Sequence, residues 1–207
     1  EMDGPRQLAL GVERVVEPLV MREHLLDVHL AADELDGIVG ESTQELLESY
    51  GLRFSIRRQG PFADELVTAL GFAGRGISGS LSVATSYRVA RRIVQEVPGA
   101  TDIEDWIGEL TNQLLGGIQR RLLRRGASIA AGLPVVVRGE ELDLANNGRS
   151  SSSATSDIQR FRIDRMVDLF SGVVRVRVMV ELESWFQLQP ASDPAMQPLA
   201  EGEPLLF

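Results

Sequence analysis

The sequence predicts an α+β domain, with helices packed on an antiparallel or mixed β-sheet. Three observations carry this. Ile103, Ile107, Leu110, Leu114, Ile118 and Leu122 recur at helical spacing, so one long helix has an apolar face. Gly74-Arg75-Gly76 separates two β-like runs and supplies the positive-φ positions of a tight hairpin. Val174, Val176, Val178 and Val180 alternate with Arg175 and Arg177, the pattern of an antiparallel strand with one wet face. Helix, hairpin, helix, long helix, strand and strand pair then follow one another, an α+β order.

Taken in order, residues 1 to about 30 mix two periodicities, and Pro18 is expected to break any long helix there. They read as an N-terminal extension, residues 1–31. From Ala32 to Tyr50, Leu35, Ile38, Val39, Leu46 and Leu47 recur as on a helix, with Gly51 as its stop. Arg53 to Arg58 alternates as a strand does. Glu65 to Ala73 and Gly76 to Thr85 form the hairpin, with Val67, Ala69 and Gly71 on one side. Ser86 caps a helix from Tyr87 to Val97.

Thr101 or Asp102 caps the long helix. Its acidic first turn and the arginines near its end, Arg120, Arg121, Arg124 and Arg125, suit the helix dipole. Leu133 to Val137 reads as a strand led in by Pro134. Asn146 to Ser156 reads as a polar loop. Asp157 to Leu169 and Gly172 to Trp185 are the last strands. Residues 187–207 hold four prolines and read as an extended tail, which leaves 32–186 as the domain.

Composition excludes several chemistries. The 207 residues are 43% hydrophobic, enough for a core, and the net charge of −9 argues against nucleic acid and anionic membranes. There is no cysteine, which removes disulfides, thiol nucleophiles and cysteine metal sites. All 21 basic residues are arginine, so a phosphate-loop lysine and Schiff-base chemistry are absent. No signal peptide or membrane span is visible, and a cytoplasmic setting is expected. His24 and His29 stand five apart and lack the four-residue spacing of a zinc helix. Ser150 to Ser153 read as loop filler. Gly71, Gly74, Gly76 and Gly79 lie in the hairpin pattern and read as turn and strand-packing residues.

One polar constellation remains. Glu109 and Asn112 project from the long helix opposite its apolar face, with Asp105 and Gly116 beside them. The bland reading is a solvated helix face. The chemical reading is that an amide on a rigid platform holds a water in line with a phosphoryl group, while a glutamate beside it pairs with a lysine on a partner.

The span Gly76 to Leu142 resembles the CheX/CheC/FliY family of bacterial chemotaxis phosphatases, CheX most of all. The family pattern is Asp or Ser, three residues, Glu, two residues, Asn, about twenty-one residues, Pro; here Asp105, Glu109, Asn112 and Pro134 stand at that spacing. Ile77-Ser78-Gly79-Ser80-Leu81 looks like the strand before the helix, and Leu133 to Gly139 like the strand after it. The resemblance implies a CheX/CheC-like fold and a hydrolase acting on the phospho-aspartate of a CheY-like receiver domain. Asn112 would orient the water and Glu109 would engage the receiver's lysine. Asp105 and Gly116 would face the partner.

The resemblance further implies no cofactor of the chain's own, Mg²⁺ held by the partner receiver domain, and a homodimer formed by sheet extension. Gly40-Glu41-Ser42-Thr43-Gln44 repeats the motif in the first helix with Gln44 in place of Asn, which favours a single site. A non-catalytic adaptor that docks a receiver or another signalling protein is the alternative. A component of the flagellar switch related to FliY is a third.

Overall fold

The computed structural model describes residues 13–58, 65–97, 102–139 and 158–191, with side chains from Val28 onward except that of Glu96. The chain order is α1 (Glu13–Ser49), β1 (Phe54–Arg57), β2 (Leu66–Gly74), β3 (Ile77–Thr85), α2 (Tyr87–Glu96), α3 (Ile103–Leu123), β4 (Ile129–Ala131), β5 (Val135–Arg138), β6 (Ile158–Leu169) and β7 (Gly172–Glu183). The seven strands form one sheet in the order β1-β6-β7-β3-β2-β4, with β5 also on β2. Every described pairing is antiparallel. The α+β class is borne out, with three helices on an antiparallel sheet.

The sheet has one helix-covered face. Leu66, Thr68, Leu70 and Phe72 of β2 share it with Ile77, Leu81 and Val83 of β3 and with Val174 to Leu182 at alternate positions of β7. Ile107, Leu114 and Leu122 of α3 are each at most 2% exposed against this layer. Each such side chain contributes about 1.5–3 kcal/mol of burial. α1 adds Val28, Leu35, Ile38 and Val39 to the same core. Burying one face of α3 this deeply fixes the direction of the other, and that positions the candidate site.

Two expectations are corrected and one element is added. The first helix begins at Glu13, not near Ala32, and passes through Pro18. A proline in the second turn forfeits one i→i−4 bond, and a helix of 37 residues carries it. The arginine face of β7 is not uniformly wet. Arg177 lies opposite Asp164 of β6 and donates to its carboxylate at 2.9 Å, which folds the guanidinium down to 8% exposure. The added element is the three-residue strand β4, too short to leave a pattern in the sequence.

The hairpin reading of the glycines holds. Gly79 faces Phe72 across the strand pair, and a Cβ on it would stand 2.0 Å from the Met179 carbonyl oxygen of β7. Gly76 takes φ 75° at the turn, whereas Gly74 has no positive φ and pairs with Ile77 as the last residue of β2. The Asn146–Ser156 loop, Ser150 to Ser153, His24's side chain and the tail beyond 191 lie outside the described residues. No helix among the described residues is long and apolar enough to cross a membrane.

Candidate active site on the third helix

α3 begins where its sequence says it should. Asp102 accepts from the backbone N–H groups of Glu104 at 2.8 Å and Asp105 at 3.1 Å, satisfying two donors that no turn precedes. Glu104 also forms an ion pair with Arg138 at the end of β5. The strand that follows Pro134 is thus tied to the first turn of α3. Gly126, at φ 74°, turns the chain away after the last turn.

The motif residues fall as the helical period requires. Asp105, Glu109 and Asn112 are exposed, Gly116 is half-buried, and Gly108 and Thr111 between them are buried. Thr111 donates to the Ile107 carbonyl at 2.7 Å, anchoring the helix beneath the stripe. Glu109 Oε1 accepts from Gln113 Nε2 at 2.7 Å. Gln113 Oε1 in turn accepts from the Tyr50 hydroxyl at 3.0 Å. Asn112 and Asp105 have no side-chain partner among the described residues, so the Asn112 amide is free to bind a water. Pro134 stands immediately before β5, outside the α3 stripe.

Tyr50 and Gln113 are the site residues that the sequence reading missed. Gln113 follows Glu109 by four positions, a spacing that signals a helical contact. Tyr50 lies 63 positions away and leaves no such signal. The Tyr50 hydroxyl titrates above its ordinary range. Its partial burial is the larger cause and the negative charge of Glu109 the next, while the bond to Gln113 acts the other way.

The look-alike motif on α1 is differently equipped. Thr43 donates to Val39 at 2.7 Å, as Thr111 does to Ile107. α1 and α3 pack closely here, since a Cβ on Gly117 would sit 3.4 Å from Ser42 Cβ. Yet Glu41 pairs with Arg121 at 3.4 Å, and Glu45 pairs with the same guanidinium at 2.7 Å. Arg121 thereby holds the Glu45 carboxyl below its ordinary range. Gln44 donates to Glu48 at 2.8 Å. Glu41 thus shares one guanidinium with Glu45, and the position that matches Asn112 holds a glutamine already bonded to Glu48.

No group of three or more metal-ligating side chains occurs among the described residues. His29 packs edge-on against Phe161, with 5.6 Å between ring centroids, an ordinary aromatic contact.

Residues 66–156 match the family model for the chemotaxis phosphatase CheX. No curated protein matches the chain. Among solved structures, the chain is similar to CheX from Vibrio vulnificus, with TM-score 0.56 and 21% identity over 71% of this chain and 96% of that one. A chemotactic CheC-like protein from Shewanella oneidensis MR-1 superposes with TM-score 0.55 and 18% identity, over 70% of this chain and 95% of that one. The CheX–CheY–BeF3–Mg²⁺ complex from Borrelia burgdorferi gives TM-score 0.51 and 12% identity, over 70% and 96%. At these identities the superpositions speak for the fold. With the family match, they bear out the resemblance to the CheX/CheC/FliY family, and to CheX within it.

Proposed function

For a chain with the CheX/CheC-like fold and a CheX match over residues 66–156, we propose the activity of a phosphatase acting on the phospho-aspartate of a CheY-like receiver domain. The observation that supports it is the α3 stripe. It presents one unengaged amide, Asn112, one turn from a carboxylate, Glu109, on a helix immobilised by its opposite face. That fits a reaction whose catalysis is positioning.

In this reading a water hydrogen-bonded by the Asn112 amide attacks the phosphorus of the acyl phosphate. The bond from phosphorus to the aspartyl oxygen breaks, the receiver's carboxylate departs with the electron pair, and the water's proton passes to the phosphate or to solvent. Glu109 pairs with the receiver's lysine and sets the docking register. Asp105 and Gly116 lie against the receiver.

Mg²⁺ belongs to the receiver in this reading, as the composition of the Borrelia burgdorferi complex suggests, and neutralises charge on the phosphoryl oxygens. This chain's stripe carboxylates then serve as protein contacts. The catalytic unit is residues 32–186 together with the preceding part of α1, whose Val28 and Ala31 enter the same core, and a homodimer formed by sheet extension completes the proposal.

The test is to phosphorylate each receiver of the source organism with a small acyl phosphate and follow phosphate release with and without this protein. Faster release from at least one receiver is expected. Binding of phosphorylated receivers with no acceleration from any of them would overturn the phosphatase reading and identify an adaptor.

A further inference from the structure

The stripe is not simply two side chains in solvent. A chain of hydrogen bonds crosses from the end of α1 to Glu109. The Tyr50 hydroxyl donates to Gln113 Oε1 at 3.0 Å, and Gln113 Nε2 donates to Glu109 Oε1 at 2.7 Å. We propose that Tyr50 and Gln113 are positioning residues that hold the Glu109 carboxylate ready for the cationic side chain of the docking partner. This deepens the phosphatase reading and rests on it.

The physical case has three parts. A Gln–Glu pair four apart on an exposed helix is worth only about 0.2–0.5 kcal/mol, too little to order a glutamate by itself. Tyr50 changes that. Its ring is half-buried and packs against the core, so it is an anchor with few rotamers to lose. By donating to the Gln113 oxygen it also fixes which way the amide points, and leaves the NH₂ group toward Glu109.

The second part is the free oxygen. Only Oε1 of Glu109 is engaged among the described residues, so Oε2 remains open to an incoming ammonium. The third is entropic. A glutamate ordered only at docking gives up most of its side-chain freedom at that moment, and a glutamate already held gives up less. The device therefore acts on encounter, whereas Asn112 acts on the chemical step.

The α1 look-alike has no such chain. There Gln44 donates to Glu48, and Glu41 is taken by Arg121. The tyrosine that orients the amide serves α3 alone.

The experiment has a kinetic arm and a spectroscopic arm. On a receiver that the wild type dephosphorylates, Tyr50→Phe and Gln113→Leu should each raise KM about five-fold, the worth of one net hydrogen bond, with kcat nearly unchanged. On a Glu109→Ala background the same changes should have no further effect. Equal losses on both backgrounds would mean that Tyr50 and Gln113 only support the fold, and would overturn the proposal with the phosphatase reading intact.

The spectroscopic arm needs no partner. Tyr50 and Tyr87 are the two tyrosines, so in Tyr87→Phe the ultraviolet absorbance follows Tyr50 alone. Glu109 is the charge that acts on its hydroxyl across α1 and α3. Glu109→Ala should lower the titration midpoint, with circular dichroism verifying the fold at each pH. An unmoved midpoint would overturn the coupling. A lowered midpoint, in a protein that dephosphorylates no receiver, would leave the held carboxylate standing and remove the phosphatase reading.

Discussion

Gly116 stands on the exposed stripe although nothing in the chain's own packing requires a glycine there. A Cβ added to it would meet only Arg120 Nη1, at 3.8 Å, an ordinary contact. Its backbone is helical, where glycine is about 1 kcal/mol less favourable than alanine. The residue thus lowers stability without any return inside the domain, a cost that the proposed function assigns to the close approach of a partner. Gly116→Ala should raise stability by about 0.5–1 kcal/mol in urea denaturation and weaken binding to a phosphorylated receiver. Stability raised with docking unchanged would take Gly116 out of the interface. At this scale the sequence was informative wherever helical period did the work. Asp105, Glu109, Asn112 and Gly116 line up because each residue advances about 100° around α3. Tyr50 escaped notice because its bond to Gln113 spans 63 positions, a contact that only the packing of α1 on α3 creates.

The elements show the same division between local and long-range causes. α3, α2 and the β2–β3 hairpin carry strong signals, namely the apolar face of α3, the Ser86 cap that accepts from Val89, and the Gly76 turn. Each is set by residues close together in the chain. The start of α1 at Glu13 and the strand β4 were not legible, the first because Pro18 locally argues against what the helix sustains, the second because three residues hold no period. The burial of Arg177 depended on Asp164, thirteen positions away on β6. Gly79 gives the sharpest element-scale test. Its missing side chain lets β3 lie beside β7 with the Phe72 ring across it. Gly79→Ala should cost about 3 kcal/mol by urea denaturation, because the clash is with the Met179 backbone oxygen at 2.0 Å and the Phe72 ring at 2.8 Å. A change under about 0.5 kcal/mol would show that the approach of β3 to β7 does not require glycine at this position.

Across the whole molecule, one sheet face and three helices place α1 and α3 side by side with similar polar motifs and different side-chain partners. All four side chains are exposed, but on α1 Glu41 pairs with Arg121 and Gln44 with Glu48, whereas on α3 Asn112 has no side-chain partner among the described residues. The net charge of −9 in a chain without lysine gives the protein no general affinity for phosphate groups. In the proposed function, recognition of a phosphorylated receiver then depends on the shape and register of one helix face rather than on cationic attraction. In the proposed mechanism the Asn112 amide aligns the hydrolytic water. This alignment is tested most directly by measuring the dephosphorylation rate of a responsive receiver with wild type and with Asn112→Ala, each at saturating concentration and each shown to be folded and bound. Asn112→Ala is expected to bind the phosphorylated receiver and leave its phosphate to decay at the unassisted rate; dephosphorylation by Asn112→Ala at the wild-type rate would rule out water alignment by this amide.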